Sequence, residues 1–347
     1  MIRNDELTPT SIQIHHPSKQ IYIKNPCKNA SCSHLCLLSP SVQGFNCACP
    51  VGTTLSKNNF TCDSTSVNDS SIIIATNTDI YRLTSNQIGK DSIIHLSKDL
   101  QLKKIGALVF NPSENSIIYS DTVDGVIYSL DLNTLRELVL FENADMVEGL
   151  DVDPYTESIY FTERTRGTVV IVRKHFNGVR ERSVLVRQLK NPRSIAIASE
   201  LGLMFVVEGS KSQVIAVWEV DGNWLNNLVQ VNGAISAMAY DDKYLYFSDS
   251  LRGTIERIAV GGENRTVLQE HLKAPIAMDL SSDSVFWLAI HSSRINWLKK
   301  QNPSSKHEFF IPTSPKNVEQ YRMITVVNYL KLSRNNNTSA CPTNNSK

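Results

Sequence analysis

Tyr246-Phe247-Ser248-Asp249, set beside Ile118-Tyr119-Ser120-Asp121 and Tyr160-Phe161-Thr162-Glu163, decides the fold. The pattern returns in altered form as Phe205-Val206-Val207-Glu208 and Phe286-Trp287-Leu288-Ala289, so it restarts every 40 to 45 residues. One more copy, Ile72-Ile73-Ile74-Ala75 leading into Ile80-Tyr81-Arg82-Leu83, lies a similar interval upstream and brings the number of units to six. An apolar strand precedes each motif, as at 149–154 and 237–241. A turn and a further strand follow it, as at 252–258. Short strands separated by Gly, Asn, Asp and Ser turns, with no helical stretch of useful length from residue 70 to 333, make this region all-β. A repeat of this length with about four strands is the size of one propeller blade, whose twisted sheet cannot bury both faces alone. Stacking in a ring covers both faces, which fits the nearly continuous apolar runs Thr168-Val-Val-Ile-Val172 and Leu203-Met-Phe-Val-Val207. An open solenoid would need polar capping repeats at its ends, and none is evident. The expectation is a closed six-bladed β-propeller over residues 70–333.

The acid closing four of the motifs reads first as structural, because a carboxylate at a strand end can accept N–H groups of turns that have no ladder partner. Recurrence of the same residue type unit after unit supports that reading over a ligand role.

Upstream the chemistry is different. Cys27, Cys32, Cys36, Cys47, Cys49 and Cys62 crowd into one short stretch, and no further cysteine occurs until Cys341. About 40 residues bury too little surface to fold unaided, so cross-links must stabilise this stretch. Zinc is the rival reading, but the spacing lacks the paired Cys-x2-Cys knuckles of a structural zinc site. Disulfides are therefore expected, in any of about fifteen pairings as far as spacing alone goes. They place the chain in an oxidising compartment outside the cytosol. Asn-x-Ser/Thr sequons at Asn29, Asn59, Asn68, Asn264 and Asn336, together with Asn337 and Asn344, agree with that compartment and are candidate glycosylation sites.

The polar start Met1-Ile-Arg-Asn-Asp-Glu6 is unlike a signal peptide, and no apolar run approaches the ~18 residues of a membrane span. With the partnerless Cys341, these features read as an internal fragment of a longer protein, reaching a membrane only through a span outside this chain. Charge is balanced, 35 basic against 34 acidic side chains, and gives no reason to expect a nucleic-acid partner. Eight scattered histidines form no metal-ligand pair beyond the neighbours His15 and His16, and no nucleophile elbow or phosphate loop is present. Neither a metal, a cofactor nor an enzymatic activity is expected.

Together these residues resemble the low-density lipoprotein receptor family, specifically an EGF-like module followed by a YWTD-type propeller. Asn25-Pro-Cys27, Cys32-Ser-His-Leu-Cys-Leu-Leu38, Phe45-Asn-Cys-Ala-Cys-Pro50 and Phe60-Thr-Cys62 carry the EGF part, and the worn motifs above carry the propeller over about 260 residues. The resemblance implies pairing of Cys27 with Cys36, Cys32 with Cys47, and Cys49 with Cys62. The residues that calcium-binding EGF modules place before their first cysteine are missing at Lys24-Asn-Pro26 apart from Asn25, so no calcium site is implied. Residues 1–22 look like the tail of a preceding propeller, 24–63 like the EGF-like module, and 334–347 like the start of another. The divergent motifs, and the absence of Gly-Gly before Cys32, are closest in character to invertebrate yolk-protein or lipophorin receptors and megalin-like proteins.

The implied function is an extracellular module of an endocytic receptor, binding a protein or lipoprotein ligand or a neighbouring module, with release in acidified endosomes. The alternative is a secreted, nidogen-like matrix scaffold. In the resembling propellers the ligand face is built by loops that follow the motif strand and loops that enter the strand before it. Carried onto this chain, those loops hold Lys103, Lys104, Glu148, Arg164, Arg166, Lys190, Arg193, Lys211, Arg252 and Lys273, with Asp124 as a further acid. Nearly all are basic, which suggests steering of an acidic partner; the bland alternative is solvated loop charge. His271 and His291 are candidate pH sensors. Trp224 is expected to pack between blades, with an exposed anchor as the alternative.

Overall fold

The computed structural model describes residues 25–33, 35–40, 42–48, 53–56, 58–64, 71–85, 91–174, 179–311 and 321–327. The expected segments 1–22 and 334–347, with Cys49, Asn68, Cys341 and Asn336, lie outside them. The chain divides into two compact units, residues 1–64 and 65–347. Among the described residues no helix is long and apolar enough to cross a membrane.

In the first unit, Leu35–Leu38 pairs antiparallel with Phe45–Ala48, and Thr53–Leu55 with Cys62–Ser64. Disulfides join Cys27 to Cys36 and Cys32 to Cys47. Asn25 caps the 3-10 turn Pro26–Asn29 by accepting the Cys27 N–H at 2.9 Å.

The second unit is a six-bladed propeller in which every blade is a four-stranded antiparallel meander. Blade 2 comprises Ile105–Asn111, Ser116–Asp121, Val126–Asp131 and Glu137–Glu142, from the channel outward. Blades 3 to 6 begin with inner strands Val147–Val152, Ile195–Ala198, Ile235–Tyr240 and Pro275–Leu280. Blade 1 is assembled from both ends of the unit. Ile72–Ala75, Ile80–Ser85 and Asp91–His95 supply its outer three strands, and Met323–Val326 returns to supply the inner one, Ile324 opposite Ile74. That closing strand was not apparent from the repeat, because Met323-Ile-Thr-Val326 carries no motif of its own.

Side-chain alternation along the motif strand explains why the repeat has two large apolar positions. Tyr160 packs with Met204 and Val206 of blade 4, whereas Phe161 packs with Ile118 and Ile127 of blade 2. Tyr246 likewise meets Trp287 of blade 6 while Phe247 joins Phe205 of blade 4. Six such clusters fill the six interfaces, and the last unites Ile74 and Leu83 of blade 1 with Leu288 and Ile295 of blade 6. The same alternation shifts the register of blade 1. Ile73 turns toward blade 2 and Ile74 toward blade 6, so the motif there is Ile73-Ile-Ala-Thr76, one residue later than the sequence suggested.

Candidate functional site

Because every blade is an antiparallel meander, loops after the motif strands and loops entering the inner strands emerge at one end of the ring. The carboxylates that close the motifs organise this end from beneath. Asp121 accepts the N–H groups of Val123 and Asp124 on one oxygen and those of Lys103 and Lys104 on the other, at 2.8 to 3.3 Å. Asp249 accepts from Ala234, Leu251 and Arg252, each at 3.0 Å. In blade 1 the Thr76 hydroxyl takes the same place, accepting from Thr78 and Asp79. Four residues past the acid sits a glycine, Gly125, Gly167 or Gly253, at φ between +64 and +67°. A Cβ there would lie 2.4 to 2.7 Å from a carbonyl oxygen of the adjoining loop, so only glycine fits.

All ten residues placed on the expected ligand face map to this end, and six of them are engaged in ion pairs. Arg164 bonds Glu148 at 2.7 Å and Asn191 at 2.6 Å, with Arg193 3.7 Å from the same Glu148. Lys103 pairs with Asp124. Arg166 reaches Glu163 at 2.6 Å, and Arg182 reaches its other oxygen at 3.0 Å. Arg252 and Arg265 hold Glu256 in the same manner, at 3.1 and 2.8 Å. Glu163 and Glu256 are fully buried, so each is a desolvated anion that needs its two guanidinium partners. Among the described residues, Lys104, Lys190, Lys211 and Lys273 form no ion pair. Apolar loop tips also stand clear of the surface: Val123 and Met146, of blades 2 and 3, and Leu251 and Ile290, of blades 5 and 6, are 59, 38, 73 and 40% exposed. The site combines clamped arginines, four lysines that form no ion pair among the described residues, and apolar loop tips, so residue types alone overstated its free positive charge.

His271 and His291 occupy loops of this end in left-handed conformations, φ +58 and +55°, and both are exposed. His271 lies 3.6 Å from Glu270. A third histidine went unnoticed in the sequence. His95, at the same end of blade 1, meets Asp79 at 2.7 Å and stacks on Tyr81 with ring centroids 4.7 Å apart. Its signal was available in the two successive strand-like stretches Ile80–Ser85 and Asp91–His95, whose pairing sets Tyr81 opposite His95 and brings Asp79 beside it. Trp224 is 56% exposed at the start of the outer strand of blade 4, at the opposite end of the ring, and does not pack between blades as expected. The residues before it explain this: Asp221-Gly-Asn223 turns the chain outward past the edge of the blade. Of the sequons, Asn59 and Asn264 are exposed.

Across 312 residues, or 84% of its length, the chain is 24% identical to vitellogenin receptor Yl of Drosophila melanogaster. It is 30% identical over 116 residues to human low-density lipoprotein receptor-related protein 5. Both relatives are receptors, and the likeness is to proteins of the low-density lipoprotein receptor group. The chain spans 15% of the vitellogenin receptor and 7% of the human protein, a small part of each. Among solved structures, the propeller of a nidogen/laminin complex superposes with a TM-score of 0.65 at 18% identity, covering 75% of this chain and 99% of that one, which is a likeness of fold. No protein-family model matches the sequence. The chain is thus a six-bladed propeller similar to those of receptors, preceded by a disulfide-bonded unit, and the acid of each surviving motif is architectural.

Proposed function

We propose that this segment is an extracellular protein-binding module of an endocytic receptor, and that the end of the ring bearing Val123, Met146, Leu251 and Ile290 receives a yolk-protein or lipoprotein ligand. The observation that carries the reading is the similarity to a vitellogenin receptor over 84% of the chain, joined to a face whose exposed groups are apolar loop tips among ion-paired arginines. Exposed apolar residues ringed by polar ones are the usual make-up of a protein-binding surface. Two disulfides fit an oxidising, extracellular setting. The scaffold alternative has only the fold-level likeness to nidogen behind it.

Release in an acidified compartment belongs to the same proposal, with His95, His271 and His291 as the groups that gain charge near the ligand. The test is surface plasmon resonance of the whole chain against purified vitellogenin at neutral and endosomal pH. Binding at neutral pH that is lost in Leu251→Asp and Val123→Asp supports the reading. No binding at neutral pH, or full binding by both variants, refutes it for this ligand.

A further inference from the structure

The interface between blades 2 and 3 is packed toward the ligand face and open at the other end of the ring. Where it is packed, Ile118 and Ile127 of blade 2 meet Phe161 of blade 3. Further along the same sheet faces the side chains turn polar. Ser116 and Ser129 of blade 2 and Lys174 and Arg180 of blade 3 line a cleft of about 530 Å³ there. The corresponding part of the next interface is closed. Ile171 stands where blade 2 has Ser129, and Val220 where blade 3 has Lys174, and both pack in one cluster with Leu185 and Trp218. The opening between blades 2 and 3 therefore comes from residue choice, not from the geometry of the ring.

Polar groups in the cleft are unevenly satisfied. Both of its acids are engaged: Glu114 takes Lys174 at 2.7 Å and Nη2 of Arg180 at 3.7 Å, and Asp131 accepts the N–H groups of Asn133 and Thr134. Lys174 is held by Glu157 as well, at 2.7 Å. What remains is a set of donors. Ser116 is 2% exposed, and its hydroxyl makes no hydrogen bond. Nη1 of Arg180 is shielded from water and makes none either. Arg136, on the outer hairpin of blade 2, is exposed at the rim and forms no ion pair among the described residues. A buried donor without a partner costs on the order of 1–3 kcal/mol, so the cleft is short of an acceptor. A carboxylate suits two guanidinium groups, whose planar forks match its pair of oxygens. Leu138, 52% exposed, and Leu140 add an aliphatic wall for the methylenes that carry such a group. The cleft is much larger than one carboxylate, so its occupant brings several residues with it.

We propose that this cleft is a binding site for an acidic segment of a protein partner, with Arg136 and Arg180 meeting a glutamate carboxylate, the Ser116 hydroxyl donating to it, and Leu138 and Leu140 packing on its stem. The cleft lies at the other end of the ring from the ligand face and does not rest on the reading of that face.

The probe is a short acetylated, amidated glycine-rich peptide carrying one glutamate, titrated into the whole chain by NMR at low salt. Companion titrations use the glutamine peptide and N-acetylglutamate α-amide. The glutamate peptide is expected to bind roughly ten-fold more tightly than the glutamine peptide. R136Q should cut that preference about three-fold, and R136Q/R180Q should abolish it. S116A should weaken binding of the glutamate peptide about three-fold. K98Q, which removes an exposed positive charge after the outer strand of blade 1, should leave it unchanged. Arg136 is exposed and Ser116→Ala removes only an unbonded hydroxyl, so both single variants are expected to keep the parental melting temperature. Equal affinity for the glutamate and glutamine peptides, binding of neither included, overturns the proposal, as does full affinity in both R136Q and S116A. If N-acetylglutamate α-amide binds as tightly as the peptide, the protein-segment occupant is overturned in favour of a small free anion.

Discussion

Arg252 and Lys211 look equivalent in sequence, each a basic residue in the loop after a motif strand, and charge reversal should separate them sharply. The Arg252 guanidinium lies 3.1 Å from one oxygen of Glu256, which is 1% exposed, and the Thr254 hydroxyl donates to the same oxygen at 2.9 Å. At about 3 Å and an effective permittivity of about 20, the gross attraction is about 5 kcal/mol. Arg252 is 45% exposed, so solvent screening reduces its net contribution to about 1 kcal/mol. Arg252→Glu loses that contribution and sets a second carboxylate beside a buried one, a combined cost of about 2 kcal/mol with Arg265 still in place. For a domain of this size that lowers the melting temperature by about 4–8 °C. Lys211→Glu disturbs no ion pair among the described residues and should shift it by no more than about 1–2 °C. Differential scanning calorimetry of the two variants decides the matter. Shifts that agree within about 1 °C would refute the clamp, and Arg252 could then be treated as ordinary surface charge. If the clamp holds, charge reversal at Arg166 or Arg252 confounds ligand binding with stability, and Lys104, Lys211 and Lys273 are the cleaner probes of charge at this face.

Thr162→Val keeps shape but removes the hydroxyl that donates to the Arg193 carbonyl of the next blade at 2.5 Å; a loss of about 1–3 kcal/mol is expected from urea unfolding, and no loss would argue against the bridge. A chain ended at residue 320 lacks the inner strand of blade 1 and should unfold in more than one step, with hydrogen exchange fastest in 72–95; a single cooperative transition of parental midpoint would contradict velcro-like closure. The Asp131 carboxylate is held below its usual range by the N–H groups of Thr134 and Asn133. Its folded value lies below its unfolded one, so its stabilising effect is present at neutral pH and fades as pH falls through the folded value. The gap in melting temperature between parent and Asp131→Ala should therefore narrow from neutral pH to about pH 3, and a gap that widens on acidification would reverse the reasoning.

What was legible in the sequence followed from periodicity. Apolar pairs such as Tyr160-Phe161 recur because each motif strand must cover two neighbours, and that requirement survives in every blade. The closing strand was not legible, because Met323–Val326 is defined by what it pairs with 250 residues upstream rather than by its own pattern. The candidate face was legible in position but not in electrostatics. Loop location follows from blade topology, whereas the partners of Arg166 and Arg252 are buried glutamates in strands, and residue type alone does not reveal which acids a loop cation will meet. Trp224 failed for a related reason: an aromatic near a turn can face either the gap between blades or solvent, and the choice depends on how the hairpin leaves the sheet.

Drift within the motif also has a physical account, which bears on how far family likeness can be carried. Ser120 and Thr162 donate to Val147 and Arg193 carbonyls in the following blade, so the third motif position is a tie between blades. Val207 of blade 4 cannot make that tie. There the buried Gln213, on the next strand, accepts the Ile235 N–H of blade 5 at 2.5 Å. At the channel, Asp151 reaches Ile197 of blade 4, and Asp279 reaches Thr325 and Val326 of the closing strand. The Phe110 N–H donates to Thr325 between blades 2 and 1, and Gln269 to the Pro303 carbonyl between blades 5 and 6, so each interface is tied by some polar contact, but not by the same residues. Selection on the ring can be satisfied by any group that supplies the tie, so motif residues are free to change while the fold persists. The exposed loop tips Val123, Met146, Leu251 and Ile290 take no part in those ties, so their chemistry is not dictated by closure of the ring, which makes that end the informative place to look for what this propeller binds.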